Sequence, residues 1–127
     1  MKTKAYITYE DVIRLLTPYF QQKYPNCNVI FYCESKKEYH DDGWGFTDEY
    51  YVFSGHIQYS RNTVAFGKVT LLSDTRYLSD KDIRNPLEKL LNNMLDSEGN
   101  NLKVSYMDAG EHSITINIAE KEKVLKK

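Results

Sequence analysis

Residues 50–60, YYVFSGHIQYS, narrow the folding problem more than any other stretch of the chain. Tyr51, Phe53, Gly55, Ile57 and Tyr59 share one parity, and Val52, Ser54, His56 and Gln58 share the other. Successive side chains of an extended chain point to opposite faces, so this pattern predicts a strand with one face buried. Such a strand needs neighbours to satisfy its backbone. Residues 28–36, NVIFYCESK, are rich in β-branched and aromatic side chains and predict one neighbour. Residues 63–72, TVAFGKVTLL, predict the other, reached by a turn at Arg61 and Asn62. The register that best matches large apolar groups sets Tyr59 opposite Val64, Ile57 opposite Phe66 and Tyr51 opposite Leu72. It also sets His56 opposite Gly67. Val52, Val69 and Leu71 are left on the second face, which is too apolar to be wholly wet. A second copy of the chain covering them would make a homodimer.

Helical spacing appears twice. Thr8 and Asp11 predict an N-cap and its partner, followed by an apolar stripe of Tyr9, Val12, Ile13, Leu16, Tyr19, Phe20 and Tyr24. Pro18 lies inside that stripe and predicts a kink, or a split after Thr17. Asn85, Pro86 and Glu88 predict the start of a second helix, with SDKDIR before it as a short extra turn. Leu87, Leu90, Leu91, Met94 and Leu95 form its stripe, and Gly99 its stop. A last hairpin is expected around a three-residue loop, Asp108-Ala109-Gly110, with Gly110 left-handed, Val104 facing Ile114, Leu102 facing Ile116 and Tyr106 meeting His112. The order α-β-β-β-α-β-β predicts an α+β fold, a mostly antiparallel sheet with two helices packed on one face in two layers. At 127 residues the chain fits one domain, residues 1–127, with residues 120–127 as a frayed charged tail.

Charge and composition exclude several classes. Seventeen basic and eighteen acidic residues leave a net charge of −1, so no overall positive field favours direct, non-specific nucleic-acid binding. Lys23, Arg61, Lys68, Arg76 and Arg84 are scattered and form no stripe. No apolar run approaches the ~20 residues a membrane helix needs, and the N-terminus lacks the apolar region of a signal peptide. A cytoplasmic protein without membrane contact is expected. Cys27 and Cys33 flank a predicted strand and stand ~20 Å apart, too far for a disulfide. Abundant Lys, Asn and Tyr suggest an AT-rich bacterial or phage source.

The strongest functional signal is residues 39–51, YHDDGWGFTDEYY. From Glu34 to Glu49 there are six acids (Glu34, Glu38, Asp41, Asp42, Asp48 and Glu49) and two lysines (Lys36 and Lys37), a local charge of −4. Trp44, the only tryptophan, and Phe46 lie among Gly43 and Gly45. Aromatics beside charge have the composition of a binding hot spot. Glu38, Asp41, Asp42, Trp44, Phe46, Asp48 and Glu49 are therefore the candidate partner-binding residues. The alternative is a plain loop whose Trp44 folds back onto the core.

Metal and catalytic readings fail on spacing. An EF-hand loop starting at Asp41 would place Val52 where its twelfth-position glutamate belongs. Zinc would need further His or Cys, and His56 and His112 are isolated. No metal or other cofactor is expected. There is no G-x-S-x-G, P-loop or dinucleotide fingerprint, so no catalytic residue is assigned. The expected function is that of a non-enzymatic binding protein or inhibitor. Its partner would be a protein or protein–nucleic-acid complex with a basic surface. Immunity proteins and inhibitors of nuclease-based defence, such as anti-CRISPR proteins, offer an analogy of size and charge. The alternative is a small-molecule binder or enzyme using space above the sheet near His56, Gly55 and Gly67.

Overall fold

The structure, a computed structural model, describes residues 2–121. It is an α+β fold with eight elements: β1 (Lys2–Thr8), α1 (Tyr9–Lys23), β2 (Asn28–Asp41), β3 (Thr47–Ala65), β4 (Lys68–Leu78), α2 (Asp80–Ser97), β5 (Leu102–Ala109) and β6 (Ser113–Glu120). The fold class is the expected one. Two features extend it. A strand, β1, precedes the first helix, and the strands divide into two three-stranded antiparallel sheets, ordered β1-β6-β5 and β2-β3-β4. In β1, Ala5 lies opposite Ile116 and Ile7 opposite Ile114. Pairing with β6 makes this polar-looking segment a strand.

Helix α1 starts as its sequence predicts. Thr8 Oγ1 accepts from the Asp11 N–H at 3.0 Å, and Asp11 Oδ2 accepts from the Thr8 N–H at 2.9 Å. Pro18 does not split the helix, which continues to Lys23. Val12 and Leu16 before the proline and Phe20 after it are buried. Three such side chains contribute roughly 1.5–3 kcal/mol each, which outweighs the ~3 kcal/mol cost of an internal proline. Helix α2 starts earlier than expected. Ser79 is its N-cap and Asp82 the capping-box partner, so SDKDIR is the first turns of the helix and Pro86 lies inside it. Gly99, at φ 76°, ends it as expected.

One core joins both sheets and both helices, with Val12, Leu16, Phe31, Phe53, Ile83 and Ile114 at its centre. Gly55 sits in it for a steric reason. A Cβ there would stand 2.2 Å from the Tyr32 carbonyl oxygen and 3.2 Å from Ile83 Cδ1. Its absence lets α2 approach the sheet.

Strand β3 is 19 residues long, about 60 Å of extended chain. The turn to β4 is Phe66-Gly67, both at positive φ (55° and 73°), and not Arg61-Asn62. Tyr59 therefore faces Asp74, Ile57 faces Arg76 and Leu72 faces Arg61. The C-terminal hairpin is corrected likewise. Its loop is Gly110, Glu111 and His112, closed by Gly110 N–H donating to Ser113 O at 2.8 Å. Ala109 faces Ile114, Val104 faces Ile118, Leu102 faces Glu120, and the register shifts between Val104 and Tyr106. Gly110 is not left-handed; it lets Ser113 O come close.

Helix α2 stitches the two sheets together. β4 stops pairing at Leu78, opposite Gly55, so residues 47–54 of β3 have a free edge. Asp80 Oδ1 accepts from the Phe53 N–H on that edge at 2.8 Å. Arg84 pairs with Asp80 at 2.9 Å and donates to Met107 O of β5. Asn92 Oδ1 accepts from the Val104 N–H at 2.7 Å. One helix face thus satisfies backbone groups of both facing edges. At the end of β6, Lys121 N–H donates to Asn101 O at 3.0 Å and its ammonium pairs with Asp96. The rest of the predicted tail, residues 122–127, lies outside the described residues. Among the described residues no helix is long and apolar enough to cross a membrane.

Candidate functional site

The acidic aromatic stretch is the end of the β2–β3 hairpin, which extends past the core. Pairing runs from Lys36↔Val52 to Asp41↔Thr47, and residues 42–46 form the tip. Two carboxylates shape that tip. Asp41 Oδ1 accepts from the Gly43 N–H at 2.9 Å. Asp42 Oδ1 accepts from the N–H of Trp44 at 2.8 Å and of Phe46 at 3.4 Å. Gly43 and Gly45, at φ 81° and 85°, supply the left-handed positions this path needs. The backbone is held from within, and the rings are left outside. Trp44 is 85% exposed and Phe46 71% exposed, so Trp44 does not fold back onto the core.

The seven candidate residues are not equivalent. Asp41 and Asp42 organise the loop. Glu38 and Asp48 lie on one face of the arm, beside Tyr50 and His40, while Glu49 lies on the other beside Tyr39. Glu38 pairs with Lys36 at 3.5 Å, and Glu49 with Lys37 at 3.2 Å. The Glu49 carboxylate holds the Lys37 ammonium above its ordinary pKa. Among the described residues no hydrogen bond or ion pair holds the Asp48 carboxylate. It is the acid most open to a partner's cation. Two open clefts flank the base of the arm: one of about 320 Å³, with Tyr51, Arg84, Glu88 and Tyr106, and one of about 390 Å³, with Lys36, Glu38, Val52 and Ser79. Tyr50, Val52 and Asp80 border both.

The second site expected from sequence changes shape. His56 is not opposite Gly67 but between Tyr32 and Tyr77, with ring centroids 5.4 and 6.2 Å away. Three rings in a row lie over the sheet where space was expected. Gly67 belongs to the turn, ten residues up the strand from that row. Among the described residues no group of three or more His, Cys, Asp or Glu is placed to hold a metal ion. Cys27 and Cys33 are both free thiols, and burial pushes the Cys33 thiol up to about 12. A thiol held protonated in this way is a poor nucleophile.

Two features escaped the sequence. The Asp80–Arg84 pair was hidden because Arg84 looked like one scattered cation among several. The other is the far end of β3. Val64, Phe66, Val69 and Leu71 are exposed together at the β3–β4 tip, with Val69 at 76% and Leu71 at 64%. Val69 and Leu71 do lie on the expected second face. Val52 lies about 33 Å along β3 from Asn62, Leu71's partner, so the three form no single patch. The signal for the true turn was Gly67 itself, at the second position of a two-residue loop.

No family model matches the chain, and no curated protein or solved structure does either.

Proposed function

We propose that this chain is a non-enzymatic binding protein that engages a macromolecular partner through the β2–β3 arm. The partner is a protein, or a protein–nucleic-acid complex, with a basic surface. The observation that carries this reading is a tip whose backbone is fixed by Asp41 and Asp42 while Trp44 and Phe46 stand in solvent. A pre-ordered loop loses little entropy on binding, and its two rings supply the anchors. Asp48, Glu38 and Glu49 add the electrostatic part, which speeds encounter and selects the partner. Inhibition of a basic nucleic-acid groove, as in anti-defence proteins, is the sharpest form of this reading.

The test is affinity capture from source lysate with nuclease-treated controls. Wild type is compared with an Asp41→Asn, Asp42→Asn, Asp48→Asn, Glu49→Gln variant and with Trp44→Ala. Asparagine keeps the side-chain oxygen that the loop N–H groups need, so the fold is expected to stay intact by circular dichroism. A partner held by wild type in a salt-sensitive way and lost by both variants supports the proposal. A partner that the charge variant holds with unchanged salt dependence ends it.

A further inference from the structure

β4 is one of the two edge strands of the β2-β3-β4 sheet, and its backbone can be assigned from the turn. Ala65 and Lys68 close a two-residue hairpin loop, so they form a hydrogen-bonded pair. Even-numbered residues of β4 then bond to β3, and the N–H and C=O groups of Val69, Leu71, Ser73, Thr75 and Tyr77 point away from it. The Thr75 N–H agrees, being taken up by the neighbouring Asp74 carboxylate at 2.8 Å. Edge strands are usually blunted by proline, bulges or inserted charge. Here β4 pairs with β3 without a register shift, and residues 69–73, VTLLS, contain neither proline nor charge.

The charges at the two ends of that run are complementary under one operation. A two-fold antiparallel pairing centred on Leu71 sets Leu71 against Leu71 of a second copy. Val69 then meets Ser73, and Lys68 meets Asp74, twice over. All outward groups from residue 69 to 73 pair, because the opposed residues are both odd-numbered. Moving the centre by one residue toward the C-terminus would oppose Lys68 to Arg76, which like charges disfavour. From this self-complementarity we infer that β4 is a homodimerisation edge, and that two copies join into a continuous six-stranded antiparallel sheet centred on Leu71. The occupant of the exposed edge is a second copy of this chain. The inference is independent of the acidic arm.

Sedimentation velocity over micromolar to sub-millimolar concentrations tests it, with Lys68→Glu, Asp74→Lys and the double variant compared with wild type. Within one chain Lys68 and Asp74 stand ~20 Å apart along the strand, so they cannot compensate each other except across the dimer. The expected result is a wild-type dimer, at least ~tenfold weaker in each single variant and restored in the double. The rescue separates pairing from the contacts Asp74 makes with Tyr59 and Thr75, which both Asp74 variants lose alike. A wild type that stays monomeric throughout overturns the inference. So does a dimer that the single variants leave unchanged or the double variant fails to restore.

Discussion

At one end of β3 the chain turns through residues 42–46, where two aspartates take up the N–H groups of Gly43, Trp44 and Phe46. At the other it turns through Phe66 and Gly67, and among the described residues no side-chain hydrogen bond holds that turn. Both tips carry exposed rings. The first is acidic and pre-ordered by its own carboxylates. The second is apolar, with Lys68 and Arg61 as its only charges from residue 61 to 72, and sits beside an open strand edge. One strand thus carries two unlike surfaces, separated by a buried middle at Phe53, Gly55 and Ile57. A pre-ordered tip suits docking of side chains into a partner; an open edge suits pairing of backbones.

The largest effect should come from the middle. Phe53→Ala removes a fully buried ring and is expected to cost about 3–5 kcal/mol in denaturant unfolding. If it costs as little as an arm substitution, the division into core and arms is wrong. Gly55→Ala follows at roughly 1–3 kcal/mol, because its Cβ would meet the Tyr32 carbonyl and Ile83. Phe66→Asn is expected to act in the opposite direction. Asparagine tolerates the left-handed backbone that a phenylalanine strains to adopt, so stability should rise by about 1 kcal/mol. A loss would show that Phe66 contributes contacts within the fold. Trp44→Ala should lie within ~0.5 kcal/mol of wild type, and Trp44 emission should resemble that of free indole and be readily quenched by acrylamide. A blue-shifted, protected Trp44 would erase the contrast between the arms.

A pH titration tests the helix caps. Backbone hydrogen bonds from Thr8 and Ser79 lower the pKa of Asp11 and Asp82 in the folded state. Groups shifted down stabilise the fold above their unfolded pKa and lose that contribution as pH falls through the folded one. Unfolding free energy should therefore drop below about pH 4, and Asp11→Asn and Asp82→Asn should flatten that drop. At the alkaline end Tyr9, raised to about 12 by burial and donating to Gly110 O at 2.6 Å, stabilises the fold below pH ~10. That contribution is lost as pH rises toward 12.

Local chemistry made much of this legible. Thr8 and Asp11 marked the first helix, Gly99 the end of the second, and the alternation from 50 to 60 the buried and open faces of β3. Gly43 and Gly45 flanking Trp44 left an outward and a folded-back ring both open, and the fold shows the ring outward. Two kinds of information were missing. Alternation cannot see a slip by an even number of residues, because every side chain keeps its face. The β3–β4 register therefore moved by ten residues while Val69, Leu71 and Leu72 kept their faces. Val64, expected opposite Tyr59, lies in β3 on the other face, Phe66 falls in the turn, and His56 gained Tyr77 as a neighbour in place of Gly67. The cap of the second helix, expected at Asn85, is Ser79. Ser79 with Asp82 and Asn85 with Glu88 are both plausible starts on local grounds. Burial of Ile83 against Gly55 is consistent with the earlier one.

The sequence by itself determined the inward faces of both helices and of residues 50–60, and where charge and aromatic side chains concentrate. These depend on neighbours within a few positions. Tertiary structure alone decided that there are two sheets, that Lys2–Thr8 is a strand, and that Asp80, Arg84 and Asn92 close the seam between them. Those outcomes depend on backbone donors and acceptors that find partners 12 to 27 residues away at the seam and more than 100 residues away between β1 and β6, and no local pattern records such distances.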